Sequence, residues 1–219
     1  VIPPLEVINI CRDKFKTIKM LKDNFFPYPH SVLFDELIPK EELLKDFNYP
    51  FVVKKITDCG SKHLHIVQSH KELENITDLD SSYIIQDYIP GTEYTNGVFR
   101  DAFSNEIYVL TLERTMKDGM SDEVKVIFDK EIEELCKKVA EKLNITGSIN
   151  IQLRKRNGLP PMIFEINPRY SSTSFMRAKF GFNDVIYAFE NMVLKKAVLP
   201  PKIRAGEAYR YITEYYRFY

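Results

Sequence analysis

The stretch Phe164-Glu165-Ile166-Asn167-Pro168-Arg169 sets a carboxylate, a carboxamide and a guanidinium at every second position of what reads as a β-strand. Alternate residues of a strand share one face, so the three side chains can converge on one ligand. Glu165 and Asn167 offer oxygens to a hard cation such as Mg²⁺, which is commonly shared with substrate phosphates. Arg169 adds a planar fork of donors suited to phosphate oxygens. A polar face on a wet strand needs no ligand, so the partner strand decides how much the strip means.

Residues 148–153 and 162–167 flank the turn-forming run Arg156-Asn157-Gly158-Leu159-Pro160 and read as a hairpin. A turn centred on Asn157-Gly158, or one running on through Pro160, makes the numbers of opposed residues sum to an odd value. Asn150 and Gln152 then share a face with Glu165 and Asn167, and Gln152 becomes a third oxygen donor. Ile149, Ile151, Leu153, Ile163, Phe164 and Ile166 are left largely for the core.

A chain of 219 residues, 44% hydrophobic and 28% charged, can bury a sizeable core as one larger domain or two small lobes. Lys+Arg and Asp+Glu are both 31, so no global field favours nucleic acid or an acidic membrane, and any polyanion site is local. Cys11, Cys59 and Cys136 are odd in number and form no Cys-x-x-Cys pair, which argues against a disulfide scaffold or a thiolate zinc site. No apolar run reaches the roughly 20 residues that span a bilayer, and no signal peptide opens the chain. A soluble, cytoplasmic protein is expected. The opening Val1-Ile2-Pro3-Pro4 is what a piece of a longer protein, lacking an upstream lobe, would show.

Periodicity predicts helices over 13–23, 40–47, 70–76, 129–143 and 183–195. The strongest is 129–143, where Ile132, Leu135, Cys136, Val139, Ala140 and Leu143 fall on one face. Strands are expected at 50–55 and 64–67 as a hairpin, at 83–88, at 93–103 and 106–114 around a turn at Ser104-Asn105, and at 209–216. Residues 117–120, polar and lacking apolar period, read as a mobile loop.

Two further constellations carry chemistry. Pro50-Phe51-Val52-Val53-Lys54 delivers a lysine beside a small turn with Gly60 and Ser61, whose N–H groups suit phosphate oxygens. Gln86-Asp87-Tyr88-Ile89-Pro90-Gly91-Thr92-Glu93 is a strand that breaks at Pro-Gly, offering backbone groups to an adenine edge and a carboxylate to ribose hydroxyls. His63 and His65 lack a third ligand nearby and read as an exposed strand. The Tyr- and Arg-rich run from Tyr209 to Arg217 reads as an edge strand, not a nucleic-acid surface.

In this order the three motifs resemble the ATP-grasp superfamily, most of all the carbamoyl-phosphate synthase large subunit and related carboxylate-amine ligases, from Asp13 to about Pro200. The resemblance implies an α+β, two-lobed fold with antiparallel sheets and ATP between the lobes. It divides the chain into 1–26, a linker and helix packing on the core, 27–88, a lid, and 89–219, a core. It implies that Lys14 and Lys54 hold ATP phosphates, that Gln86, Tyr88 and Ile89 meet adenine, and that Glu93 binds ribose. Gln152, Glu165 and Asn167 match Mg²⁺ ligands, with Mn²⁺ as the alternative ion, and Arg114 and Arg169 match catalytic groups at the transferred phosphoryl.

The implied activity is an ATP- and Mg-dependent ligase that activates a carboxylate as an acyl phosphate for capture by an amine. Its partners are those small molecules, without nucleic acid or membrane, and a homodimer is left open. The alternative is a non-catalytic nucleotide-binding or regulatory module, favoured by a phosphate loop, Thr57 to His63, with Gly60 as its one glycine. Lys55 stands where, in the family it resembles, proline often follows the lysine, and Lys62 in the loop adds a compensating charge.

Overall fold

The computed structural model describes residues 3–58, 63–211 and 217. The chain opens with α1 (Leu5–Arg12), α2 (Lys14–Asp23), β1 (Ser31–Leu33) and α3 (Lys40–Leu44). β2 (Phe51–Lys55), β3 (Leu64–Val67), α4 (His70–Glu74) and β4 (Tyr83–Asp87) follow. These strands form a four-stranded antiparallel sheet in the order β1-β4-β2-β3, closed on one face by a core that includes Phe51, Val53, Leu73 and Ile85.

The second half holds β5 (Thr92–Arg100), β6 (Ile107–Lys117), β7 (Met120–Ile127) and α5 (Lys130–Lys142). It continues through β8 (Gly147–Lys155), β9 (Met162–Asn167), α6 (Ser174–Lys179), α7 (Asp184–Met192) and β10 (Glu207–Tyr209). Its strands make a six-stranded antiparallel sheet ordered β10-β7-β6-β5-β8-β9. The fold is therefore α+β, with two antiparallel sheets. Among the described residues no helix is long and apolar enough to cross a membrane.

The expected helix at 129–143 is α5, and its start is chemical. Asp129 accepts from the backbone N–H groups of Glu131 and Ile132, the usual repair for the unpaired donors of a first turn. Its apolar face packs on Ile149, Ile151, Leu153, Ile163 and Ile166, and α1 and α2 add Val7, Cys11, Ile18 and Leu21 to that layer. Burial pushes the Cys11 thiol up to about 12 and raises Cys136 as well, so both are inert packing groups. Cys59 lies outside the described residues.

The structure corrects several expectations. Residues 117–120 are no loop: Asp118 and Gly119, at φ 51° and 74°, make a two-residue turn that joins β6 to β7 with Lys117 opposite Met120. β7 escaped notice because one of its inward positions is the fully buried Ser121, which breaks the apolar alternation. α1 and α6 were also unforeseen. β10 is an edge strand but ends at Tyr209; the remainder of the expected 209–216 strand, except Arg210 and Tyr211, lies outside the described residues.

The β8–β9 register supports the parity argument by a different route. Close to the turn the sums are even, with Arg154 opposite Met162 and Leu153 opposite Ile163. Phe164 is then an extra residue on β9, and beyond it Gln152 faces Glu165 and Asn150 faces Asn167. The bulge, not the turn, sets the odd sum at the site. It also turns Phe164 toward the cleft instead of the core.

Gly97, midway along β5 and opposite Asn150, is required by packing. A Cβ there would lie 2.0 Å from Nη1 of Arg177, a fully buried guanidinium. Arg177 cannot swing away, because its Nη2 donates to Asp184 Oδ2 at 2.9 Å and to Ser174 Oγ at 3.0 Å. Ser148 also donates to that Asp184 oxygen, at 2.7 Å. Gly97→Ala is therefore expected to lower stability by about 2 kcal/mol or more through overpacking, read as a shift of the urea midpoint at constant slope. An unchanged midpoint would mean that the guanidinium is not fixed there.

Candidate functional site

The two sheets face each other across a cleft of about 510 Å³. β2, β3 and β4 form its roof, and β5, β6, β8 and β9 its floor. Eleven of the residues singled out from the sequence border it: Lys14, Lys54, Gln86, Tyr88 and Ile89 on one side, and Glu93, Arg114, Gln152, Glu165, Asn167 and Arg169 on the other.

Strand alternation brings Lys54 into the cleft from β2, where it is buried. Its Nζ donates to Gln86 Oε1 at 2.8 Å and stands 5.7 Å from the ring centroid of Phe164. Gln86 in turn donates to Ser31 Oγ at 2.8 Å, which fixes its amide orientation. Burial lowers the Lys54 pKa to about 8; Glu165 opposes the shift, and Lys14 adds to it. Lys14, in the first turn of α2, donates from Nζ to the Asp58 carbonyl at 2.6 Å. Asp58 and His63 pair with each other, and residues 59–62 between them, with the Gly60, Ser61 and Lys62 of the expected phosphate loop, lie outside the described residues.

Glu93 accepts four hydrogen bonds on the floor. Its Oε1 accepts from Arg114 Nε at 2.9 Å and Nη2 at 2.6 Å, and its Oε2 from Arg154 Nε at 3.1 Å and Nη2 at 2.8 Å. Burial alone would raise this carboxyl, but Arg114 and Arg154 together hold it below the usual range. Arg114 Nη2 also reaches Gln152 Oε1 at 2.9 Å. Register in the β6–β7 ladder shifts between Arg114 and Met116, the kind of irregularity that re-aims a side chain.

Sequence reasoning missed Arg154 as a site residue, although it continues the 150–152–154 alternation on β8 and so shares the face of Gln152. It also missed Phe164, which a bulge hides from any parity rule. Ser171 and Ser172, beyond Arg169, extend the lining. Arg169 itself is exposed at the rim and donates to the Tyr170 carbonyl at 3.0 Å.

Asn167 Nδ2 donates to Glu165 Oε1 at 2.9 Å. Gln152, Glu165 and Asn167 thus present carboxylate and amide oxygens from two adjacent strands. Among the described residues no group of three or more His, Cys, Asp or Glu could hold a metal ion. The donor set fits a hard cation that takes its remaining ligands from phosphates or water, not a thiolate or imidazole centre.

An oxygen-rich, arginine-lined cleft makes this an α+β protein whose candidate site lies between two antiparallel sheets. More particularly, the chain belongs to the ATP-grasp domain family, whose model matches residues 11–173. It is 26% identical over 185 residues to the carbamoyl phosphate synthase large chain of Methanothrix thermoacetophila, covering 77% of this chain and 17% of that one. It is 33% identical over 101 residues to the coenzyme gamma-F420-2:alpha-L-glutamate ligase of Methanococcus maripaludis, covering 44% and 34%. In fold it is similar to an N5-carboxyaminoimidazole ribonucleotide synthetase solved as an ADP complex, with TM-score 0.78, 15% identity and coverage of 90% and 54%. The chain thus spans about half of that solved relative and less of the curated ones.

The clamp on Glu93 has a measurable signature. Its folded pKa lies below the ordinary 4.5, so its contribution to stability is complete above that value and is lost as pH falls through the folded pKa. Glu93→Gln should lower stability at neutral pH by about 2–4 kcal/mol, because two guanidiniums lose their counter-charge. It should also flatten the acid limb of the stability profile below about pH 5. Denaturant titrations at several pH values check both, and an unchanged acid limb would refute the clamp.

Proposed function

We propose that the cleft is the Mg·ATP site of a ligase that activates a carboxylate as an acyl phosphate for attack by an amine or similar nucleophile, in the manner of the carbamoyl-phosphate synthase large subunit. The observation that carries this reading is the opposition of Gln152 to Glu165 and of Asn150 to Asn167 on the floor, facing the buried Lys54 of the roof. Family membership supports it, as does likeness to a synthetase solved with ADP.

In this reading residues 27–88 act as the lid and 89–219 as the core, with 1–26 packed on the core. Adenine meets the hinge at Gln86, Tyr88 and Ile89, and ribose meets Glu93. Lys14 and Lys54 bind the phosphates. Gln152, Glu165 and Asn167 would hold Mg²⁺, which when bound neutralises charge on the phosphate oxygens.

A substrate carboxylate oxygen attacks the γ-phosphorus, the bond to the β–γ bridging oxygen breaks, and ADP leaves with that electron pair. The nucleophile then attacks the acyl carbon, and phosphate departs. Little covalent chemistry is asked of the protein. Arg114 and Arg169 supply positive charge where the phosphoryl oxygens gather it, and the roof excludes water from a hydrolysable intermediate.

Glu165→Ala should reduce Mg²⁺-dependent ADP formation by roughly a hundredfold or more, since it removes the metal's one carboxylate. Full turnover in that variant, assayed across a panel of carboxylates and amines, would defeat the ligase reading. Lys54 gives an independent check. With its pKa near 8 in the free cleft, arrival of a polyanion raises that value, so binding takes up protons above neutrality. Calorimetry of Mg·ATP binding at about pH 8.5, in buffers of different ionisation enthalpy, should show a fraction of a proton taken up. Lys54→Met should abolish the uptake, and equal uptake in that variant would exclude Lys54 as the phosphate lysine.

A further inference from the structure

We propose that Arg154 is a positioning residue that presents Glu93 to the nucleotide sugar and holds the hinge in register with the floor. This rests on reading the cleft as a Mg·ATP site. Arg154 lies directly opposite Glu93 in the β5–β8 ladder and two residues from Gln152 on the same strand face. Its guanidinium spends nearly all of its fork on nucleotide-end groups. Nε and Nη2 donate to Glu93 Oε2 at 3.1 and 2.8 Å, and Nη1 donates to the Ile89 carbonyl at 3.1 Å. The carbon between them stands 5.3 Å from the ring centroid of Tyr88. One side chain therefore touches the acid and two of the three proposed hinge residues, Tyr88 and Ile89, while its strand carries Gln152 two residues away.

The acid's own bonding says which arginine must stay. A carboxylate offers about four lone-pair sites, and Glu93 has four arginine N–H groups on them. A ribose hydroxyl reaches Glu93 only by replacing one of those donors. Away from the acid, Arg114 is held by Gln152 Oε1 at 2.9 Å and by Ser121 Oγ at 3.4 Å. Gln152 Oε1 is also an oxygen proposed for the cation, so Arg114 loses that partner as the site fills. Arg154 keeps the Ile89 carbonyl and the Tyr88 ring. Arg114 is thus the donor that yields at Oε1, and Arg154 fixes Oε2 so that Oε1 faces the sugar. Lysine in place of Arg154 keeps the charge but cannot form the fork to Glu93 while bonding Ile89.

The test compares binding of Mg·ATP and Mg·2′,3′-dideoxy-ATP to the wild-type protein, Arg154→Met and Arg154→Lys by calorimetry. The wild type should prefer the nucleotide with both hydroxyls. Arg154→Met should weaken ATP about tenfold and dideoxy-ATP less than threefold, collapsing the preference, while Arg154→Lys recovers part of it. Equal weakening of both nucleotides would assign Arg154 a merely structural role and overturn the proposal, as would wild-type behaviour in Arg154→Met. If Arg154→Met does not fold, the same comparison on Arg154→Lys decides, with partial loss of sugar preference supporting and full retention overturning the assignment. A wild-type protein that binds neither nucleotide overturns the Mg·ATP reading and this assignment together, whereas a binding wild type with an indifferent Arg154→Met overturns this assignment alone.

Discussion

Glu93 sits between two guanidiniums delivered from strands on either side of its own, and the order of the cleft floor depends on that arrangement. β5 pairs with β6 and with β8, so a charge at the start of β5 can be reached from both neighbours at once. The side chains of Arg114 and Glu93 are 7% and 16% exposed, and such screening from water makes the mutual compensation of charges decisive. Removing the acid leaves two cations facing each other, and removing one arginine leaves the acid with a half-filled shell. The pairing therefore fixes more than its own members. Through Arg114 it orients Gln152, and through Arg154 it fastens the Ile89 carbonyl.

Beneath this layer a second buried ion pair supports the sheet. Arg177 from α6 lies over Gly97, and Asp184 from α7 takes both Arg177 and Ser148 of β8. Burying such a pair carries a desolvation penalty that good geometry only partly offsets, so its value lies in fixing one arrangement more than in net stability. The arrangement it fixes is the seating of α6 and α7 on the cleft-side face of β5 and β8. That face also carries Asn150 and Gln152, so the helices after the Asn167-Pro168-Arg169 corner are locked to the strands that position the site.

Much of this was legible in the sequence because strands and amphipathic helices write their faces in simple periods. The α5 stripe and the β2–β3 and β5–β6 hairpins follow from period 2 or 3.6 plus turn residues, whereas the meeting of Lys54, Gln86 and Glu93 with Gln152, Glu165 and Asn167 was expected from the family resemblance. The losses have physical causes as well. The bulge at Phe164 adds one residue to β9 and exchanges its faces, which no fixed period can register. β7 hides behind a buried serine. Arg154 carried the right parity, but a charged residue near a hairpin turn looks like ordinary surface until its partner on β5 is known. Long-range pairing determines which charges meet, and a single sequence states that only indirectly.

The lysines proposed for the phosphates already bind the roof to its surroundings. The Lys14 backbone N–H donates to the Ile56 carbonyl at 3.0 Å and its ammonium to the Asp58 carbonyl at 2.6 Å, tying the start of α2 to the chain leaving β2. Lys54 reaches from the roof toward Phe164 of the floor. Contacts of an ammonium with neutral carbonyls and a ring are weaker than charge-assisted bonds to an anion. An entering polyanion therefore competes with the bonds that now hold β2 and the chain after it in place, and it supplies stronger ones to the same two cations. On the proposed Mg·ATP reading, because those cations come from α2 and from β2, the exchange would link both elements to the bound phosphates.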